Sequence, residues 1–451
     1  MRRSRSLLPA ACRLLLLLSL PWTALARADH HDPALADRVA AHYQAQLKDL
    51  FIWFHQNPEL SFLEHRTAER LADELKNLGI PVTGGVGGTG LVGVIENGPG
   101  PRVLIRADMD GLPVKEASGL PYASTRTQVN RVEATLPVMH ACGHDVHMTS
   151  LVGTAKELME TRNQWSGTVL LIGQPAEERI GGAKAMLQDG LYERFGVPDY
   201  AIAFHVSADG PSGKVAVRPG LVQSSSDSVD IIVKGVGAHG ASPHRGKDPI
   251  YMASQLVIAL QGIMSREVAP LQPGVITVGS IHGGFKHNII PDQVKLQLTV
   301  RSNDEAVRAQ LIDSIERVAR GVGVLNGLPE NLMPEVIHGF EGTPTNVNSK
   351  SATAKVRDAW ANYFAEDRFY ERPRTGMGAE DFAEFVQTKE RVPGVYFAVG
   401  GTPEAVLEAA ERGEAVVPSH HSPFFKIEPE PSVRAGVEAT VIAARALLDS
   451  R

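Results

Sequence analysis

Apolar residues recur along this chain in two rhythms. Over residues 33–56 and 64–79 they return at helical spacing, and the second stretch stops at Gly79 with Pro81 just beyond, which predicts two amphipathic helices. Elsewhere the apolar residues gather in short, nearly unbroken runs: Leu91–Ile95, Val103–Ile105, Val169–Ile172, Ala201–Phe204 and Val395–Val399. Runs of that length and composition predict strands covered on both faces, and the helical patterns between them predict an α/β domain with a mostly parallel sheet. Between residues 222 and 335 the rhythm changes. Ser228–Lys234 and Gln293–Arg301 alternate like half-buried strands, with helical stretches at 249–264 and 303–321. This predicts a smaller α+β domain, 222–335, inserted into a principal domain made of 29–221 and 336–451, with a last helix over 431–449.

The residues just past the apolar runs bear on chemistry. After Val103–Ile105 comes Arg106-Ala107-Asp108-Met109-Asp110. After Val169–Ile172 comes Gly173-Gln174-Pro175-Ala176-Glu177-Glu178, and after Ala201–Phe204 comes His205. Open α/β sheets bind ligands beyond the carboxyl ends of their strands, so three strands are expected to deliver Asp, Glu and His to one edge.

Composition narrows the compartment and the partners. The 451 residues, 43% apolar and 21% charged, are those of a globular chain and exclude a disordered, fibrous or multi-span membrane protein. Residues 1–28 combine a basic start (Met1-Arg2-Arg3-Ser4-Arg5), the apolar run Leu14–Leu20 and small-residue cleavage sites at Ala24-Leu25-Ala26 and Ala26-Arg27-Ala28. They are expected to be a signal peptide that exports the protein to the periplasm or the exterior, with an uncleaved anchor as the alternative. The whole chain carries a net charge of −6, and without residues 1–28, which hold Arg2, Arg3, Arg5, Arg13 and Arg27 and no acid, the balance is −11. Neither nucleic acid nor, after signal removal, an anionic membrane is an expected partner. Cys12 leaves with the signal, so Cys142 is the only cysteine of the mature chain and has no disulfide partner.

Its neighbours are unusual. Met139-His140-Ala141-Cys142-Gly143-His144-Asp145-Val146-His147 packs a thiol, three imidazoles and a carboxylate into one short stretch. Cys142 and His144, two apart on an extended or turning segment, can clamp one ion, and Asp145 is placed to orient a ligand histidine. A polar turn around a buried thiol, or a cysteine nucleophile activated by His205 or His421, are the other readings. Glu177-Glu178 repel each other unless cations neutralise them; in a loop one can bind metal while the other serves as a proton shuttle, and a solvated surface pair is the alternative. His205, on an apolar run, and His420-His421-Ser422-Pro423 are ambiguous alone. Together with Cys142, His144 and Glu178 they make a set of N, S and O donors rich enough for two divalent metals. In the inserted domain, Gly235-Val236-Gly237-Ala238-His239-Gly240 presents His239 on a flexible backbone and matches no phosphate-binding pattern. Asn288 and Arg301 are further polar positions there, with a surface role as the alternative.

Taken in order, these clusters resemble the hippurate hydrolase and N-acyl-amino-acid amidohydrolase branch of the dinuclear metallopeptidases, whose superfamily includes aminoacylase, carboxypeptidase G and auxin-conjugate hydrolases. The stretches that carry the resemblance are Arg106–Val114, Met139–His147, Gln174–Glu178, Ala203–Val206, the His239 loop, Asn288–Asp292, Gly378–Phe382 and His421–Pro423. They span nearly the whole mature chain; Gly111 stands where the family usually has Ala. The resemblance implies two divalent metals held by Cys142, His144, Glu178, His205 and His421; one soft thiolate among N and O ligands favours Zn²⁺, and carboxylate and imidazole also suit Mn²⁺. It implies Glu177 as general base, with Asp108, Asp110, Glu380 and Asp381 in support. It makes the inserted domain a lid and dimerisation domain whose His239 reaches the substrate carbonyl, often across a homodimer, and Asn288 and Arg301 the anchors of substrate. The implied reaction is hydrolysis of the amide bond of a small N-acyl amino acid by a metal-activated water. A dipeptidase or carboxypeptidase, or a non-catalytic relative that binds metal or a small molecule, is the alternative.

Overall fold

The computed structural model describes residues 32–449. The expected signal peptide, residues 1–28, lies outside them. Two helices, α1 (Leu35–His42) and α2 (Lys48–Gln56), are joined through a single π turn, Tyr43–Leu47, and α3 (His65–Asn77) comes next. The principal sheet then begins: β1 (Val82–Val86), β2 (Gly90–Asn97), β3 (Arg102–Asp108), helix α4 (His144–Glu160), β4 (Gly167–Gln174), β5 (Tyr200–Pro211) and the short β6 (Val215–Ala216). The chain next builds the insertion, β7 (Ser225–Lys234), α5 (Pro249–Gly262), β8 (Gly274–Gly283), β9 (Gln293–Ser302), α6 (Glu305–Leu325) and β10 (Glu335–Thr343). It returns through α7 (Lys350–Tyr363), β11 (Gly394–Thr402) and α8 (Pro429–Leu448).

The principal sheet has the order β1-β2-β4-β3-β5-β11-β6. Its centre, β4-β3-β5-β11, is parallel, and the flanking β1, β2 and β6 pair antiparallel. The Val- and Ile-rich runs lie where their composition requires, buried on both faces: β11 is buried at every position. One face packs on α4 and α8 with the N-terminal helices, the other on a smaller cluster around Met186, Phe382 and Phe385. From β3 the chain moves to β4 on one side and then to β5 on the other. A crevice therefore opens at the carboxyl end of β3, the switch point where such sheets bind ligands.

The insertion is a four-stranded antiparallel sheet, β8-β9-β7-β10, with α5 and α6 packed around a core of its own. Asp248 and Asp304 cap the two helices by accepting backbone N–H bonds. Its last strand, β10, runs through Thr343 and pairs with β7, so the small sheet extends past residue 335. Among the described residues no helix is long and apolar enough to cross a membrane.

Candidate metal centre and active site

Three adjacent strands and two turns converge at the crevice. β3 ends at Asp108, and Asp110 lies just beyond it. β4 runs into a tight turn at Glu177–Arg179, and β5 carries His205 opposite Ala398 of β11. Cys142 lies in the turn before α4. Gly143 takes a left-handed conformation (φ 87°), so His144 starts the helix while Cys142 stays outside it, and the two side chains point into one space.

Asp110 organises the glutamate pair. Its two carboxylate oxygens accept the backbone N–H groups of Glu177 (3.1 Å) and Glu178 (3.0 Å), and Ser61 Oγ donates to one of them at 2.6 Å. The buried Glu64 accepts the N–H of Ala176 at 2.8 Å. Ala176 and Ile180, on either side of the pair, are both left-handed (φ 49° and 48°) although neither is glycine. Strain of that kind persists only where surrounding bonds over-determine the backbone, and here those bonds aim the two carboxylates. The adjacent Gly111 is tightly enclosed: a Cβ there would lie 3.1 Å from Pro58 and 3.2 Å from the Met139 carbonyl.

Arg106 anchors the floor. Wholly buried, it donates to Asp108 (2.7 Å), Glu380 (2.5 Å) and Gln174 (2.7 Å), and pairs with Asp381 at 3.3 Å. Tyr396 Oη donates to Glu380 at 2.7 Å, and Gln174 to Asp381 at 2.6 Å.

The histidines sort by what their second ring nitrogen does. His144 Nδ1–H donates to the Asp110 carbonyl (2.8 Å) and His205 Nδ1–H to the Val206 carbonyl (2.6 Å), which leaves both Nε2 lone pairs open toward the crevice. His147 Nε2 accepts the Val206 N–H (2.9 Å) and its Nδ1–H is held by Asp108 (2.5 Å), so it has no free lone pair. His420 Nε2 accepts the Ala208 N–H at 3.1 Å. His421, itself left-handed (φ 67°) with its N–H on the Ala141 carbonyl, turns Nε2 to 3.3 Å from Glu178 Oε2. That turn lets two consecutive histidines face one site.

The open donor atoms form two triads that share Cys142: Cys142, His144 and His205, and Cys142, Glu178 and His421. His144 Nε2 and Glu178 Oε1 face each other at 3.8 Å, and both are buried without a hydrogen-bond partner among the described residues. Orphaned acceptors aimed at a common space are what a cation would satisfy. The electrostatics agree. Burial, with Glu380 and Glu178 close by, pushes Glu177 well above the usual carboxylate range. Burial likewise raises Glu178 to about 7, against the pull of His144. Burial and the same carboxylates push the Cys142 thiol up. His144 is raised to about 10, because Asp108 and Asp110 together outweigh the opposing effect of burial. Bound cations would reverse each of these preferences. The donor set fits divalent metal.

Of the residues expected from sequence, Cys142, His144, Glu177, Glu178, His205 and His421 are brought together here. Asp108, Asp110, Glu380 and Asp381 surround them. Asp145 is a correction: it accepts from His55 Nδ1 at 2.7 Å rather than orienting one of the open histidines, because the start of α4 turns it toward α2. His239 and Asn288 sit together on the insertion, where Ala238–His239 pairs with Ile289–Ile290 and the Gly240 N–H bonds the Asn288 carbonyl. His239 is exposed, and Nδ1 accepts the Ala241 N–H at 3.0 Å. Arg301 is elsewhere on the insertion, donating to Thr299 and across the domain boundary to the Met377 carbonyl (3.3 Å). Sequence reading assigned no role to Arg106, His147, Ser61 or Glu64. Arg106 and His147 carried a signal as members of the charged motifs, whereas Glu64 looks like any acid at a helix start.

A model of peptidase family M20/M25/M40 matches residues 104–429. A thermostable carboxypeptidase of Saccharolobus solfataricus is 38% identical over 375 residues, covering 82% of this chain and 88% of that protein. Hippurate hydrolase of Campylobacter jejuni is 37% identical over 348 residues, 77% of this chain and 86% of that one. The crystal structure of a dinuclear metal-binding peptidase of family M20 from Bacillus subtilis superimposes with a TM-score of 0.70 at 28% identity, covering 93% of this chain and all of that one.

Proposed function

The chain belongs to peptidase family M20/M25/M40 and is a metal-dependent amidohydrolase, and we propose that its substrates are small N-acyl amino acids, cleaved at the amide bond. The observation that carries this reading is the pair of donor triads sharing Cys142, with Glu177 beside them. Cys142, His144 and His205 would hold one cation and Cys142, Glu178 and His421 the other. Zn²⁺ suits a thiolate among imidazoles and carboxylate best, with Mn²⁺ second. When bound, two divalent cations bring the pKa of water down from 15.7 to about 7 and polarise the scissile carbonyl.

The remaining work falls to side chains of this protein. Glu177, fixed through its backbone N–H to Asp110, takes a proton from the attacking water and returns it to the departing amine. His239 donates to the carbonyl oxygen as it gains negative charge, and Asn288, beside it, and Arg301, from its own place on the insertion, anchor a substrate carboxylate or oxyanion. Because His239 stands exposed on the insertion, its delivery requires closure, or a second copy of the chain. The outer edge of β8, which has no further strand among the described residues, with Ile281 exposed, and the exposed Ile258 of α5 support a homodimer formed through the insertion. The signal-like residues 1–28 support export.

Similarity to a carboxypeptidase keeps peptide cleavage as the second reading. Purified protein should contain about two divalent metals per chain, lose activity to a chelator and regain it with Zn²⁺ or Mn²⁺. It should turn over N-acyl amino acids faster than dipeptides in a matched panel. Faster cleavage of dipeptides favours the second reading; activity that survives complete metal removal sinks both.

A further inference from the structure

His420 contacts the thiol of the proposed centre without belonging to either donor triad. Its Nε2 accepts the backbone N–H of Ala208, an unambiguous donor, at 3.1 Å. Nε2 therefore carries no proton, and the neutral ring has its proton on Nδ1. Nδ1 lies 3.7 Å from Cys142 Sγ. A nitrogen bearing hydrogen has no lone pair to give a cation, so its offer to the sulfur is a hydrogen bond. The ring has little freedom to do otherwise. It packs against Phe425, with centroids 4.9 Å apart, and edge-on to His205 at 5.2 Å. Adjacent residues in an extended chain point to opposite sides, and the left-handed backbone at His421 is what lets both histidines reach this place.

We propose that His420 is a positioning residue that donates an Nδ1–H···S hydrogen bond to the Cys142 thiolate and so sets how much charge that sulfur gives to a bound cation. The inference rests on the reading of Cys142 as a metal ligand. A thiolate shared by two cations would divide its charge between them, and a hydrogen bond to it draws further on the sulfur lone pairs, in the way outer partners tune other metal ligands.

Two substitutions separate this role from simple packing. His420→Asn places an amide N–H where Nδ1 stood and loses the contact with Ala208; His420→Gln keeps an acceptor for Ala208 and loses the donor to sulfur. The readout is the near-ultraviolet sulfur-to-cobalt charge-transfer absorption of protein loaded with Co²⁺. In His420→Gln the band should move to longer wavelength, because a thiolate without its hydrogen bond gives up an electron more easily. In His420→Asn it should stay at the wild-type position. A band that is unmoved in His420→Gln, or that moves alike in both variants, overturns the proposal and leaves Cys142 as a ligand. If the band is missing from the wild type, or persists in Cys142→Ser, the ligand reading fails and the proposal with it.

Discussion

The two places to which the proposed chemistry is assigned are built in opposite ways. At the crevice buried partners hold the aimed groups: Asp110 holds the Glu177–Glu178 turn, the Asp110 carbonyl holds His144, and Arg106 ties β3 to Glu380 and Asp381. The carboxylates and the guanidinium that do this holding are buried. On the insertion, His239 is exposed at the end of a two-residue pairing, and its ring bonds within its own loop. A site that must hold cations in one geometry gains from rigidity, whereas a donor that arrives with the substrate has to be free to move. The contrast says which residues should act through position alone and which through closure.

The largest expected effect lies at the rigid end. Glu177→Gln should lower kcat by about 10²–10⁴ while metal content stays at the wild-type level. Near-normal turnover with full metal would remove Glu177 from the mechanism. Arg106→Leu leaves three carboxylates without their buried cation and should cost about 3–5 kcal/mol of stability, read from urea unfolding. A small loss there would mean that the floor of the crevice is not rigidified by this network.

At the mobile end, His239→Ala should reduce kcat by roughly 10²–10³ without changing stability or metal content. Mixing His239→Ala with Glu177→Gln subunits tests closure across a dimer. Recovered activity places the donor in the partner's site, and no recovery despite subunit exchange returns it to its own.

The smallest effect concerns His55, an imidazolium held between Asp145 (2.7 Å) and Glu116 (3.1 Å) behind the crevice. Burial opposes its charge, but the two carboxylates outweigh it and raise the pKa from 6.5 to about 9. The folded form therefore binds the proton more tightly than the unfolded form. Its contribution is complete below about pH 6.5 and is lost as pH rises through 9, at most about 3 kcal/mol. His55→Gln should flatten the decline of unfolding free energy between pH 7 and 9.5, and an unchanged decline would assign it to other groups.

Much of this was legible from residue order alone. Short apolar runs marked all four parallel strands at the centre of the sheet, because a strand buried on both faces needs little from its neighbours to be recognised. The donor residues were legible for a similar reason: Cys142 with His144, and Glu177 with Glu178, combine groups that are costly to bury together without a cation. The helix patterns of the insertion held as well, though its sheet runs on to Thr343, since β10, which begins at Glu335, has no regular alternation to mark it.

Tertiary structure decided what each donor does. Nothing local distinguishes His147 from His144, or His420 from His421; His144 meets a distant backbone carbonyl where His147 and His420 meet distant backbone N–H groups, and His421 turns its ring toward Glu178. Asp145 meets His55 across 90 positions, and Glu64 reaches Ala176 across 112. Residue type and spacing settle which atoms are able to bind a cation. Which of them keep a lone pair free to do so depends on hydrogen-bond partners that only the folded chain brings within reach.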